Sequence, residues 1–174
     1  MSTQLSHSET EFKTKTFPVI LLLDNITGEA NIGSMFRLAD AFGVEKILFT
    51  GTLPNLNSNR LKRTARNTQN TVEFGFQENG EEFIKQLKKD AYKTVAIEIT
   101  SESRSIQNFS LEADSKLLLI AGNERHGISD EILNCADEVY HIEMFGKNSS
   151  MNVAQSVGIA LYEITKAYSQ LEKK

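Results

Sequence analysis

Residues 116–128 read KLLLIAGNERHGI, in which an apolar run ends at Gly122 and opens into a polar loop that closes at Gly127. An unbroken apolar run of this length is typical of a strand that is buried on both faces of a parallel sheet. Because Gly122 has no side chain, we expect a ligand to approach the backbone where the strand ends. Glu124 adds a carboxylate there, although a lone glutamate in a loop is more often a solvated turn residue.

The same loop contains His126, to which the sequence assigns no chemistry. No second histidine or cysteine lies at metal-ligand spacing from it, and no hydrolytic triad can be built around it. We therefore expect a loop residue here and no metal site. Cys135 is the only cysteine, so it forms no internal disulfide, and we expect it to be structural in a reducing compartment.

Short apolar runs alternate with amphipathic helical patterns along the rest of the chain. The predicted strands are 19–23, 47–49, 94–99, 116–121 and 138–142, and the predicted helices are 31–42, 80–89 and a long one at the C-terminus. This alternation predicts an α/β domain with a mostly parallel sheet flanked by helices. Because 174 residues suffice for one substantial core, we expect a polar arm at residues 1–16 and a single domain at residues 17–174.

The charge is distributed unevenly along the chain. A net charge of −4 argues against a generic binder of polyanions. The stretch between Glu45 and Glu73 nevertheless holds no acidic residue and five basic ones: Lys46, Arg60, Lys62, Arg63 and Arg66. On charge alone, a solvated surface loop and a nucleic-acid-binding surface explain this stretch equally well.

Membrane insertion and export are not predicted. No apolar run approaches the roughly 20 residues that a bilayer span needs, and the first 16 residues lack the apolar centre of a targeting signal. We therefore expect a cytoplasmic protein that does not associate with a membrane.

A second motif lies at residues 24–37, DNITGEANIGSMFR, where a strand leads into a helix and α/β proteins place ligands. Arg37 lies off the centre of the apolar stripe of this helix. Because helical side chains lean toward the N-terminus, we expect Arg37 to run back over Gly33, whose missing side chain would open a path to a cleft. The alternative is that Asn31 is only an N-cap and Arg37 a surface cation.

A third motif lies at residues 140–155, YHIEMFGKNSSMNVAQ, which combines a strand, a polar loop and a helix start. Asn152 with Gln155 resembles a capping box. The helix that follows carries an apolar stripe, which by default packs against its own core and which a dimer interface could share. The stripe consists of Val153, Val157, Leu161, Ile164 and Tyr168.

The order and spacing of the three motifs resemble the SpoU-type, TrmH-like branch of the SPOUT superfamily of RNA methyltransferases, over about residues 18–168. Each motif is weak alone, but together they are specific. The resemblance implies an α/β domain with a C-terminal trefoil knot, S-adenosylmethionine as the cofactor and a homodimer with a shared active site. Only the resemblance implies the knot, since general topology rules would reject one.

The resemblance also implies roles for particular residues. Arg37 matches the family's catalytic arginine. The positions that hold that arginine, the ribose or the loop framework are matched by Asn31, Glu124, Ser150 and Asn152. Cofactor contacts, which in the family use mainly backbone groups around an adenine, are implied at Gly122, Ile142 and Met151 and, as a looser match, at Ile97.

The chain departs from the family pattern at three positions: Glu29 replaces a usual proline, Arg125 a common glycine, and Glu143 the proline of Ile-Pro-Met. Arg125 places a cation beside the cofactor loop. No appended RNA-binding domain is recognisable, so the grip on RNA would come from the domain itself. We therefore expect an RNA-facing surface at Arg60, Lys62, Arg63 and Arg66.

The reaction that the resemblance implies is methyl transfer to a ribose 2′-hydroxyl of structured RNA, with transfer RNA ahead of ribosomal RNA because a minimal domain must find its site by shape. One alternative is a non-catalytic RNA-binding or assembly factor on the same fold. Another is a dinucleotide-dependent oxidoreductase, which the absence of a Gly-x-Gly-x-x-Gly turn disfavours.

Overall fold

The computed structural model describes residues 3–5, 9–10 and 12–172, so part of the predicted polar arm lies outside the described residues. The described strands are β1 Phe17–Asp24, β2 Val44–Thr50, β3 Glu73–Gln77, β4 Tyr92–Ile97, β5 Arg104–Ser105, β6 Lys116–Ala121 and β7 Glu138–His141. The described α-helices are α1 Glu29–Ala41, α2 Asn59–Ala65, α3 Gly80–Lys89, α4 Asp130–Leu133 and α5 Val153–Leu171. Short 3-10 turns lie at Thr68–Asn70 and Ile106–Asn108.

The strands form one sheet in the order β3-β2-β1-β6-β4-β7-β5, and every pairing is parallel. The apolar run that precedes Gly122 is β6, and it lies between β1 and β4 near the centre of the sheet. Leu119, for example, pairs with Leu21 on one side and Val95 on the other. The prediction of an α/β domain with a buried parallel sheet is confirmed.

Helices cover both faces of the sheet, which explains why its central strands are apolar throughout. Side chains alternate along each strand, so odd-numbered residues of β6 face one core and even-numbered residues the other. The first core contains α1, α2 and α5, and the second contains α3 and α4. Within α5, Val157, Leu161 and Ile164 are completely buried in the first core, as the default interpretation of its stripe predicted.

Helix α1 starts at Glu29, two residues before the predicted start, and its N-cap is Gly28. Asn31 is therefore inside the helix, and the alternative that made it an N-cap is wrong. By contrast, Asn152 is the N-cap of α5, where its side-chain oxygen accepts hydrogen bonds from the backbone N–H groups of Ala154 (2.9 Å) and Gln155 (3.3 Å). The N-cap half of the predicted capping box is thus confirmed.

Helix α2 lies within the basic stretch, for which the sequence predicted no regular structure. Ser58 caps it by accepting hydrogen bonds from the N–H groups of Arg60 (3.2 Å) and Leu61 (3.4 Å). Leu61 and Ala65, one turn apart, are completely buried. Two apolar positions in seven residues are too few for a recognisable period, which is why the sequence pattern did not predict this helix.

Gly33 is the point where α2 packs on α1. A Cβ atom at Gly33 would lie 2.6 Å from the carbonyl oxygen of Leu61 and would also clash with the Thr64 hydroxyl. The missing side chain therefore admits α2, and the predicted role of Gly33 in opening a path for Arg37 is wrong. None of the described helices has both the length and the apolar character that a membrane crossing requires.

Candidate active site

A cavity of about 430 Å³ lies where β6, β4 and β7, three neighbouring strands, end at the same edge of the sheet. Its volume is within the usual range of small-molecule sites, and its position is the one that open α/β sheets use for ligands. Eight of the nine predicted catalytic and cofactor residues line it: Asn31, Ile97, Gly122, Glu124, Ile142, Ser150, Met151 and Asn152. The ninth, Arg37, does not.

Glu124 ties the loop after β6 to the start of α1. Its Oε1 accepts hydrogen bonds from the Gly28 backbone N–H (2.9 Å) and the Asn31 side-chain amide (2.8 Å). Its Oε2 lies 3.5 Å from the Thr27 backbone nitrogen. These N–H groups belong to the first turn of α1 and the residues before it, where a negative charge is favoured. Glu124 is therefore part of the framework, not a free turn residue.

The same network reaches α5 through Asn31. The side-chain oxygen of Asn31 accepts a hydrogen bond from the Asn152 side-chain amide at 2.9 Å. Asn31 lies 93 residues from Glu124 and 121 from Asn152 in the sequence. One amide side chain thus joins three segments that are distant in the chain.

The pKa of Glu124 lies below its ordinary value. Partial burial alone would raise this pKa, but the hydrogen bonds from the Asn31 amide and from backbone N–H groups of Glu124, Gly28 and Thr27 outweigh that effect. The carboxylate is therefore held in its ionised form.

We expect Glu124→Gln to lower the free energy of unfolding by about 1 kcal/mol at pH 7, because the variant lacks the charge that strengthens these hydrogen bonds at a partly solvated position. A carboxyl with a lowered folded-state pKa stabilises the fold above its unfolded pKa, and that contribution disappears as the pH falls through the folded value. The difference between wild type and variant should therefore shrink below about pH 4.3 in urea denaturation. A difference in unfolding free energy that does not change with pH would contradict this prediction. Glu143→Gln, at an exposed position, is the control.

The loop after β6 is closed by its own backbone. Asn123 and Gly127 exchange two backbone hydrogen bonds of 2.9 Å, and the Asn123 side-chain oxygen accepts from the N–H groups of Arg125 (2.9 Å) and His126 (3.1 Å). A Cβ atom at Gly122 would overlap the backbone of Gly127 and Ile128. Gly122 lines the cavity, and its missing side chain also makes room for the loop. The approach of a ligand to its backbone stays a prediction.

Glu98 is a cavity residue that the sequence pattern did not single out. Its carboxylate accepts hydrogen bonds from the backbone N–H groups of Ile99 (2.9 Å) and Ile128 (3.1 Å), so it also anchors the loop after β6. His141 lines the same cavity, with its Nδ1 3.0 Å from the Ser103 hydroxyl. The sequence signal for Glu98 and His141 was their position near the end of a predicted strand. Without the fold, this position does not distinguish a cavity residue from any other residue near a strand end.

Arg37 is an exposed residue of α1. It follows Gly33 by one turn, so it is on the side of α1 against which α2 packs. It has no hydrogen bond or ion pair with any described residue. The basic side chains of α2 and its C-cap are exposed in the same way, and they form no ion pair in the described part of the chain: Arg60, Lys62, Arg63 and Arg66. The structure thus separates the predicted arginine and RNA-binding residues from the cavity.

No cluster of histidine, cysteine, aspartate or glutamate suited to a metal ion occurs within residues 3–5, 9–10 and 12–172. Cys135 is half-buried with a free thiol that contacts the second core. This environment agrees with the structural role expected of it.

The sequence profile of the SpoU rRNA methylase family matches residues 18–162. The chain belongs to this family. The tRNA (guanosine(18)-2′-O)-methyltransferase of Aquifex aeolicus is 29% identical over 159 residues, which are 90% of this chain and 71% of that enzyme. The 23S rRNA (guanosine-2′-O-)-methyltransferase RlmB of Blochmanniella floridana is 30% identical over 152 residues, 87% of this chain and 58% of that enzyme.

Two solved structures extend the comparison. The A. aeolicus TrmH/SpoU tRNA modifying enzyme superimposes with a TM-score of 0.79 at 25% identity, covering 89% of this chain and 77% of that one. A structure described as concerning the 2-OH methylation of C/U34 on tRNA gives a TM-score of 0.75 at 25% identity, covering 91% of this chain and all of that one. The predicted family, the SPOUT-type α/β fold, the RNA methyltransferase class and S-adenosylmethionine as cofactor are confirmed. The knot stays a prediction.

The cavity of this SpoU methylase fits S-adenosylmethionine. Ile97, Ile142 and Met151 supply an apolar lining suited to an adenine, and the backbone of the loop from Gly122 supplies polar groups beside them. Glu98 offers a carboxylate at the same wall, suited to the hydroxyl or ammonium groups of the cofactor. The four predicted cofactor residues are therefore together in one site, as the resemblance implied.

Proposed function

We propose that this SpoU methylase transfers a methyl group from S-adenosylmethionine to the 2′-hydroxyl of a ribose in structured RNA. The observation that carries the proposal is the joining of Asn31, Glu124 and Asn152 at one wall of the 430 Å³ cavity. Three distant segments converge there, beside an apolar lining that suits a nucleoside.

The chain's polar residues divide into positioning groups and groups free to act on substrate. S-adenosylmethionine supplies a methyl group that is already activated. Glu124, Asn31 and Asn152 are engaged with one another and with helix starts, so they act as positioning residues and not as proton acceptors. Ser150 lines the cavity, and its hydroxyl has no hydrogen bond to the described chain, so it is available to hold the ribose.

Arg37 supplies the positive charge for the reaction. A guanidinium stays protonated below about pH 12, so it stabilises the developing oxyanion or grips the adjacent phosphate instead of removing the proton. Phosphate or water then accepts the proton from the 2′-hydroxyl.

A homodimer accounts for the separation of Arg37 from the cavity of its own protomer, since a second copy can present its Arg37 there. The apolar stripe of α5 is buried in its own core, so the interface would use other residues. Ile159 and Tyr162, which are 38% and 58% exposed on α5, are available for this contact.

Transfer RNA is the substrate that we favour over ribosomal RNA. We expect the protein in the cytoplasm, where such RNA is present. One solved structure, which this chain covers over its whole length, is described as concerning the 2-OH methylation of C/U34 on tRNA. Structured RNA is recognised mostly by its shape, which suits a folded small RNA. Other relatives act on 23S rRNA, so the test must include both.

Mapping of tritiated methyl groups tests the function. RNA from a strain that lacks the protein is incubated with the purified protein and labelled S-adenosylmethionine, and the labelled nucleotide is located by nuclease digestion. We expect label on one ribose of a transfer RNA. Binding of S-adenosylmethionine without label in any RNA would favour the non-catalytic assembly factor.

The exposed cations of α2 give a prediction about RNA binding. Replacing Arg60, Lys62, Arg63 and Arg66 with alanine should weaken binding of transfer RNA and reduce the slope of log affinity against log salt by about one unit for each phosphate that is no longer bound. Cofactor affinity should not change, because α2 lies outside the cavity. RNA affinity is measured by filter binding. An unaltered affinity at low salt would show that this surface is solvated and does not bind RNA.

A further inference from the structure

A second hollow of about 550 Å³ adjoins the candidate cofactor cavity. The two share a wall made of Asn31, Asn123, Glu124 and Arg125. The cavity has several apolar side chains, whereas the second hollow is lined only by polar residues and one glycine. Besides the shared wall, its lining consists of Thr27, Gly28 and His126. A polar hollow beside an apolar one suits a sugar-phosphate next to a nucleoside.

Arg125 is the unpaired cation at this shared wall. Its side chain is exposed and forms no ion pair or hydrogen bond with any of the described residues. Neither carboxylate of the cavity wall forms an ion pair with it: Glu124 accepts hydrogen bonds from the start of α1, and Glu98 accepts them from the N–H groups of Ile99 and Ile128. A guanidinium that the protein leaves unpaired is suited to a phosphate, which it can hold with two parallel hydrogen bonds.

The backbone that carries Arg125 is fixed before any ligand arrives. The Arg125 N–H donates to the Asn123 side-chain oxygen at 2.9 Å, and the loop is closed by the bonds between Asn123 and Gly127. The Asn123 side-chain amide also donates to the Asn25 carbonyl oxygen at 2.8 Å, which ties the loop to the end of β1. A cation on a fixed loop loses less freedom on binding than one on a mobile segment.

We propose that this polar hollow binds the sugar-phosphate backbone of the RNA at the target nucleotide and that Arg125 holds its phosphate. The inference rests on the proposed function, because it takes RNA as the substrate. It adds a binding residue at a position where the family commonly has glycine. The ribose would lie at the shared wall, with its phosphate in the polar hollow and the methyl donor in the cofactor cavity.

Binding of total transfer RNA and of S-adenosylmethionine to Arg125→Gln tests the proposal. Phosphate contacts are independent of sequence, so transfer RNA is an adequate probe whichever RNA is the substrate. We expect the dissociation constant for RNA to rise about tenfold and the salt slope to fall by about 0.9, with cofactor affinity unchanged. Lys89→Gln, which removes an exposed charge from α3, is the matched control and should leave both affinities unchanged.

Three other results would overturn the proposal. Weaker cofactor binding with an unchanged RNA salt slope would assign Arg125 to the carboxylate of S-adenosylmethionine, and no change in either would make it a surface cation. Thr27→Tyr, which fills the hollow with a neutral side chain, should also weaken RNA binding, and normal binding by this variant would place the Arg125 contact elsewhere. A failure of the proposed function can be distinguished from a failure of this proposal. It would appear as absent methyl transfer by the wild-type protein, whereas the RNA and cofactor affinities of the variants can be measured without any methyl transfer.

Discussion

Arg37→Ala should reduce turnover about 10²- to 10³-fold, which is the usual cost of removing one group that stabilises a developing oxyanion. The fold should be intact, because Arg37 is exposed and forms no hydrogen bond or ion pair with the described chain. Cofactor affinity should also be unchanged, since the groups that suit S-adenosylmethionine are Ile97, Ile142, Met151 and the backbone from Gly122, whereas Arg37 acts on the RNA. Single-turnover methyl transfer and calorimetric titration of S-adenosylmethionine measure the two quantities separately.

Arg37→Lys then tells how the arginine works. Lysine keeps the charge but lacks the planar fork that holds two oxygens, so retained activity indicates charge stabilisation and a large decrease indicates bidentate positioning. Lys89→Ala controls for the removal of an exposed charge. Wild-type turnover by Arg37→Ala would reduce Arg37 to a surface cation and refute its catalytic role.

Mixed dimers test whether Arg37 acts on the partner's cavity. A dimer of Arg37→Ala with Gly122→Ala has one protomer with an intact cavity and one with an intact arginine. If the arginine acts across the interface, this dimer holds one complete site and, at a cofactor concentration that does not saturate Gly122→Ala, methylates RNA faster than either variant alone. If it acts within its own protomer, no complete site exists and the mixture methylates RNA no faster than the two variants do separately.

The sequence predicted the centre of the sheet from its long apolar runs, and the resemblance implied that the three motifs converge on one site. Parallel strands end at one edge, so residues such as Asn31, Glu124 and Asn152 could be expected near one another. Their pairwise hydrogen bonds could not be predicted, since these depend on the relative rotation of α1 and α5.

The features that the sequence did not predict depend on tertiary packing. Helix α2 is stabilised by burying Leu61 and Ala65 on α1, and β3 is an edge strand whose Phe74 and Phe76 stay partly exposed. Gly33 and Gly122 were recognised as places where bulk is excluded, but the neighbour that excludes it was the protein itself in both cases. At these two positions the glycine marks a close approach to the backbone, and only the fold shows what approaches.

The close approach at Gly122 leads to the second large expected effect, weaker cofactor binding in Gly122→Ala. The added Cβ atom would overlap backbone atoms of Gly127 and Ile128, which no change of rotamer can relieve. The loop must therefore move, and with it the hydrogen bond from Ile128 to Glu98 and the pair between Asn123 and Gly127. Overpacking of this kind costs about 1–3 kcal/mol.

If that cost falls on the bound state, affinity for S-adenosylmethionine should fall about 5- to 150-fold, as measured by calorimetric titration. Gly146→Ala is the matched control, because a Cβ atom at Gly146 meets nothing within 4 Å although its loop also adjoins the cavity. The control should bind the cofactor as the wild type does. Wild-type affinity in Gly122→Ala would mean that the loop tolerates the displacement and that the backbone around Gly122 does not form the cofactor site.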